Sequence, residues 1–162
     1  MAGHKAGETI AQKHSQAKNE QDAWQIAKGE PMTRHKARET ALQMLFQLDI
    51  GKNAWEMAEY ILSESGLTPI YAEFTLHLVK GTLEHQPEID VLLSSFTRQW
   101  DVSRLANIDK NIIRMSLFEL KYSTEIPKNV VINEAVELAK SFGSEDSASF
   151  VNAILDNISN QS

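Results

Sequence analysis

Several kinds of residue and segment are absent or scarce in this sequence. No cysteine occurs among its 162 residues, which excludes disulfide bonds and thiolate metal sites and fits a reducing compartment. Glycine and proline number only seven and four, as expected of a folded globular protein. No apolar run approaches the roughly 20 residues that span a bilayer, and residues 1–16 lack the apolar stretch of a secretory signal. We therefore expect a cytoplasmic protein that does not enter a membrane.

Catalytic motifs are missing too. The sequence has no Gly-rich phosphate loop, no G-x-S-x-G and no H-E-x-x-H. His4, His14 and His35 lie in or beside the N-terminal segment. His77 and His85 lie two turns apart on one predicted helix, too far apart to share a metal without further ligands. We expect no enzymatic activity, no cofactor and no bound metal.

The apolar residues recur at helical spacing from Thr33 onward, and no segment alternates as a strand would. The pattern predicts an all-α protein of about seven helices. One apolar stripe on the first helix consists of Ala37, Ala41, Met44, Leu45 and Leu48.

Capping and helix-breaking residues give the predicted helix ends. Thr33 is predicted to cap the first helix and Pro87 to stop the third. Asp109 is a candidate internal cap within residues 103–122, which are helical in one or two pieces. The predicted helices cover residues 33–50, 53–66, 69–86, 88–99, 103–122, 129–142 and 144–159.

Residues 1–32 form a polar extension, set apart from a helical domain over residues 33–162. The extension has few large apolar residues, so we expect it to be disordered or weakly helical. It resembles part of the domain: HKAGETIAQ (4–12) pairs with HKARETALQ (35–43), and Trp24 pairs with Trp55. Duplication explains this better than chance. The early copy has lost the arginines and the packing face, so we expect it to have no function.

Charge is distributed unevenly along the chain. Residues 1–38 contain seven Lys and Arg residues and four acidic residues, a net charge of +3. Residues 39–162 carry a net charge of −9. Such asymmetry hints at a basic nucleic-acid contact attached to an acidic body. The alternative, an incidental fluctuation in a solvated tail, stays open on charge alone.

Two groups of residues are candidates for contact with RNA. Arg34, His35, Lys36 and Arg38 lie in the first turns of the first helix, and Phe46 lies beside that basic face. Cations pair with phosphates, and an aromatic ring can stack on an unpaired base. Phe46 could instead pack against another helix.

The second candidate group lies near the C-terminus, where Phe142, Asp146, Ser149 and Phe150 share one side across Gly143. Phe150 could equally belong to the core, and Asp146 could be an ordinary first-turn acid.

Three segments resemble the NusB antitermination family. TRHKARETALQMLFQLD (33–49) looks like the Arg-rich opening helix of the family, and IDKNIIRMSLFEL (108–120) like its central helix. The longest match is IPKNVVINEAVELAKSFGSEDSASFVNAILDNI (126–158), which is close to the C-terminal signature. The resemblance covers about residues 33–160 and leaves the extension outside.

The resemblance implies an N-terminal three-helix bundle packed on a C-terminal helical bundle. Family members bind boxA-type single-stranded RNA of ribosomal-RNA transcripts together with the ribosomal protein NusE, and deliver it to the antitermination complex of RNA polymerase. Carried over by motif position, the RNA-binding residues are Arg34, His35, Lys36, Arg38, Phe46, Arg114, Phe142, Asp146, Ser149 and Phe150. Asp109 is a candidate contact for the basic ribosomal protein.

Three positions depart from the family pattern. His35 stands where arginine is common, Phe46 where tyrosine is frequent, and Ser149 at a place that can be lysine. Each change weakens the expected RNA affinity, so we expect the protein to depend on its ribosomal partner.

Two alternatives remain. The chain could be a NusB-like interaction module or homodimer without RNA binding, a reading favoured by its acidic body. The domain also resembles the helical part of some ribosomal-RNA cytosine methyltransferases. That second interpretation requires a catalytic domain and a nucleophilic cysteine, and this sequence contains no cysteine.

Overall fold

The computed structural model describes residues 31–51, 53–97, 102–123 and 125–161, so the predicted extension lies outside the described residues except for its last two positions. Within those ranges the chain forms seven α-helices and one 3-10 turn, with no strand, which confirms the all-α prediction. The helices are α1 (Pro31–Ile50), α2 (Ala54–Ser63), α3 (Pro69–Glu84), α4 (Gln86–Phe96), α5 (Asn107–Tyr122), α6 (Lys128–Phe142) and α7 (Ser147–Asn160), and the 3-10 turn is Val102–Arg104.

Three predicted helix boundaries were wrong. Helix α1 begins at Pro31, so Thr33 lies inside its first turn instead of capping it. Pro87 lies in the first turn of α4, where its missing N–H costs nothing, and α3 has already ended at Glu84. Asp109 lies in the first turn of α5, which begins at Asn107, and the separate 3-10 turn ends earlier, at Arg104.

The N-terminal bundle consists of α1, α2 and α3, with α1 packed against both of the others. The predicted stripe of α1 faces this core: Ala37, Ala41 and Met44 are fully buried, and Leu45 nearly so. The hydroxyl of Thr75 on α3 donates a hydrogen bond of 2.9 Å to the carbonyl oxygen of Ala37. Because α1 and α3 pack closely, the buried hydroxyl of Thr75 can form this hydrogen bond with the backbone of α1.

Helix α5 is the centre of the C-terminal half. Every residue from 110 to 119 is buried, because α5 packs against α6 and α7 and also against α1, α3 and α4. A helix enclosed on all sides joins the two halves into one core. Thus the two helical subdomains share a single central helix.

Gly81 lets α3 approach α5 closely. A Cβ atom at Gly81 would lie 2.1 Å from the ring of Phe118, which is well inside van der Waals contact. The Phe118 ring packs edge-on against His77 and stacks with His85, whose ring in turn lies 3.8 Å from that of Tyr122. The absence of a side chain at one position therefore makes room for four rings.

Candidate nucleic-acid interface

The first turns of α1 carry the predicted basic group. Lys36 is exposed, and Arg34 and His35 are partly exposed. His35 lies between two carboxylates, with Nδ1 at 2.7 Å from Glu134 of α6 and Nε2 at 3.0 Å from Glu39 of α1. A neutral imidazole has one N–H and can donate to only one of them. The acids on either side offset whatever positive charge His35 presents to a ligand.

Arg38 belongs to the same predicted group but points inward. It is 1% exposed and forms two hydrogen bonds with Glu119 of α5, of 2.9 Å from Nε and 2.7 Å from Nη2. Its guanidinium also lies 5.2 Å from the ring centroid of Phe74. Burial acts to lower the pKa of Arg38, but the charge and hydrogen bonds of Glu119 together with the charge of Glu134 outweigh it, and the pKa is raised. This charge is therefore neutralised within the protein.

Arg114 has a similar arrangement on α5. Its Nε and Nη2 atoms each donate a hydrogen bond of 2.8 Å to the carboxylate of Asp90 on α4. The Arg114 side chain is 8% exposed and that of Asp90 is 29% exposed. The pair joins two helices, and a bidentate carboxylate occupies the face of the guanidinium that a phosphate would otherwise bind.

Phe46 lies on the second half of α1 and is partly exposed. One turn later, Asp49 accepts a hydrogen bond of 3.3 Å from Asn111 and lies 3.3 Å from the ammonium of Lys110, both on α5. Since Asp109 immediately precedes Lys110, the Phe46 half of α1 packs close to the beginning of α5. The aromatic candidate and the candidate partner contact thus belong to segments of α1 and α5 that pack together.

A short turn holds the C-terminal group in place. The buried hydroxyl of Ser147 accepts a hydrogen bond of 2.9 Å from the backbone N–H of Ser144, at the beginning of α7. A Cβ at Gly143 would lie 2.4 Å from that hydroxyl oxygen, so this tight turn requires glycine. Asp146 and Ser149 are exposed, and Phe142 and Phe150 are partly buried against the core.

A cleft of about 460 Å³ collects residues from three parts of the chain. It joins the 3-10 turn and the beginning of α5 to the beginning of α7, and its lining consists of Arg104, Leu105, Ala106, Asp109, Ser144, Asp146 and Phe150. One carboxylate oxygen of Asp109 is buried without a hydrogen-bond donor among the described residues. The cleft therefore combines an aromatic ring, two acids and a cation.

The structure separates the predicted residues into three sets. Arg34, His35 and Lys36 lie at the beginning of α1, Asp146 and Phe150 line the cleft with Asp109, and Arg38 and Arg114 are enclosed in ion pairs. Arg104 was missed by the sequence analysis. The sequence shows Arg104 only as a cation shortly before the central helix. Nothing in the sequence indicates that Arg104 lies near Asp146.

Metal and membrane sites are not found in the part of the chain that the structure describes. No cluster of three or more His, Asp or Glu side chains there has the arrangement that a metal ion needs. No helix in the same ranges has the length and hydropathy needed to cross a bilayer.

Comparison with known proteins gives consistent results. The model of the NusB family matches residues 35–160. The transcription antitermination protein NusB of Desulforamulus reducens is 48% identical over 125 residues, which is 76% of this chain and 87% of that protein. The NusB of Bacillus subtilis is 43% identical over 128 residues, 78% of this chain and 95% of that one.

Solved structures share the fold. A Thermotoga maritima NusB structure has a TM-score of 0.72 and 32% identity, covering 79% of this chain and 91% of that one. A structure of antitermination factors NusB and NusE in complex with double-stranded RNA has a TM-score of 0.74 and 25% identity, covering 82% of this chain and 100% of the other. The family match, the identities and the shared helical arrangement agree, and the chain belongs to the NusB family.

Proposed function

We propose that this protein is a transcription antitermination factor that binds boxA-type RNA together with the ribosomal protein NusE and joins the RNA polymerase antitermination complex. The observation that carries the proposal is the cleft. Asp146 and Phe150, named for RNA from the sequence, share it with Asp109, named for the protein partner. A similar protein has been solved with NusE and RNA, which supports the same two partners here.

Three side chains of the cleft each suit one part of binding RNA and a basic protein. The ring of Phe150 offers a face on which an unpaired base can stack. The Asp146 carboxylate can accept hydrogen bonds from base N–H groups, and the negative charge of Asp109 at the cleft can attract a cation of a basic protein. We propose direct RNA contact for Arg34, His35, Lys36, Phe46, Phe142, Asp146, Ser149 and Phe150.

Arg38 and Arg114 were also predicted to touch RNA. Their bidentate pairs with Glu119 and Asp90 support a positioning role instead, in which they hold α1 and α4 against α5. We further propose that the protein acts in the cytoplasm without catalysis, by holding RNA and protein together.

A gel shift with single-stranded boxA-type RNA, with and without NusE, tests the proposal. Wild-type protein should shift the RNA, and more strongly with NusE. Phe150→Leu keeps the apolar packing but removes the aromatic face, so binding should weaken by about fivefold to a hundredfold. Trp55→Leu, which alters an exposed ring on α2, is the matched control and should bind like wild type. No shift in either lane would refute RNA binding and leave an interaction module or homodimer.

A further inference from the structure

Arg104 is a cation of the cleft that has no ion-pair partner among the described residues. It ends the 3-10 turn Val102–Arg104, is exposed, and lines the cleft with Asp109, Asp146 and Phe150. Although two carboxylates share this cleft, no ion pair within 4.0 Å joins Arg104 to either in the described ranges. By contrast, Arg38 and Arg114 each have a bidentate carboxylate partner. The guanidinium of Arg104 is therefore available to a ligand.

The charge of the cleft makes this cation important. Among its lining residues, Arg104 is basic and Asp109 and Asp146 are acidic. An RNA strand carries a negative charge at every phosphate, so the two acids repel it unless a cation meets the backbone. The carboxylates can face base N–H groups or a protein cation, but they cannot face a phosphate.

Arginine is well suited to this contact. Its planar guanidinium presents donors in a fixed fork that matches two phosphate oxygens, and it stays charged at any working pH. Among the described residues that line the cleft, Arg104 alone carries a positive charge. Contact between this cleft and an RNA phosphate therefore depends on the cation that ends the 3-10 turn.

We propose that Arg104 is the phosphate-binding residue of the RNA cleft, acting beside the ring of Phe150 and the carboxylate of Asp146. This inference rests on the proposed RNA-binding function and adds a residue to it. Arg104 fixes the RNA backbone at the edge of the cleft, so that a base reaches the Phe150 ring. Phosphate contacts of this kind set register and contribute affinity without reading sequence.

The test is fluorescence anisotropy with a labelled single-stranded boxA-type RNA, titrated with protein over about 50 to 200 mM KCl. Arg104→Ala should weaken binding about tenfold to a hundredfold. The slope of log affinity against log salt should fall by about 0.7, the value for one phosphate contact on a single strand. Arg104→Lys should keep most of the slope while losing part of the affinity, because it retains charge but not the fork.

Lys121→Ala is the matched control. It removes an exposed cation near the end of α5, about 18 Å along the helix from Asp109 at its beginning. This variant should bind RNA within about twofold of wild type, a difference of about 0.4 kcal/mol. Circular dichroism of all variants should match wild type, since Arg104 is exposed and makes no internal ion pair in the described part of the chain.

The outcomes separate the inference from the function that it rests on. Wild type binding RNA while Arg104→Ala binds equally well, with the same salt slope, would overturn the role of Arg104 and leave RNA binding intact. Equal losses in Arg104→Ala and Lys121→Ala would also overturn it, because they would indicate non-specific attraction. Failure of wild type to bind RNA, with or without NusE, would overturn both proposals.

Discussion

The buried pair of Arg38 and Glu119 should dominate the response of stability to mutation. Both side chains are 1% exposed, so Glu119→Gln leaves a guanidinium in the core without the carboxylate that binds it. Removing one member of a buried pair costs about 3 to 5 kcal/mol. For about 130 folded residues with roughly 2.1 cal/mol/K of unfolding entropy each, the expected fall in melting temperature is about 11 to 18 °C.

Differential scanning calorimetry of three variants tests this reasoning. The double variant Arg38→Met/Glu119→Leu removes both charges and should recover most of the lost stability, because apolar replacements of similar size avoid the desolvation penalty. Glu137→Gln breaks an ion pair with Lys140 in which both side chains are 59% exposed, and should shift the melting temperature by only about 1 or 2 °C. A fall below about 4 °C for Glu119→Gln, or a double variant as unstable as the single one, would refute the argument.

Three further predictions concern packing, pH and the extension. Gly81→Ala should lower the free energy of unfolding measured in urea by about 1 to 3 kcal/mol, because the new Cβ meets the buried Phe118 ring. The double variant Gly81→Ala/Phe118→Leu should recover part of this loss. A single variant as stable as wild type would contradict the close approach of α3 to α5. Because the pKa of Arg38 is raised, its contribution to stability is complete below the pKa of a free arginine side chain and is lost only as the pH rises through the higher pKa of the folded state. The stability difference between wild type and Arg38→Met/Glu119→Leu should therefore show no Arg38-dependent slope from about pH 7 to pH 10 in urea unfolding, and a slope there would count against this assignment. Deleting residues 1–32 should change the melting temperature by less than about 3 °C, since every buried core residue of the described part lies after them, and a larger loss would show that the extension contributes to folding.

The helices could be predicted from the sequence because apolar spacing is a local signal. The stripe from Ala37 to Leu45 is the buried face of α1, and no distant residue is needed to find it. The beginning of α1 was misplaced because Pro31 and Thr33 are both ordinary helix-start residues, and spacing alone does not choose between them.

The direction of the charged side chains could not be predicted in this way. Arginine is almost always a surface residue, so Arg38 was assigned to the RNA face with Lys36. Its partner, Glu119, lies 81 residues away, and only the packing of α1 on α5 brings them together. The cleft also forms only when distant segments pack together, since tertiary structure alone brings Asp109 and Asp146 to the same site.

The ion pairs between α1 and α5 also fix how these helices slide along each other. Arg38 meets Glu119 near the beginning of α1, and Asp49 meets Lys110 near its end, about three turns away. Sliding α1 by one turn, about 5.4 Å, would bring Arg38 level with Met115 or Ser123 and separate both pairs at once. The charges therefore select one antiparallel alignment, and with it the position of Phe46 beside the beginning of α5.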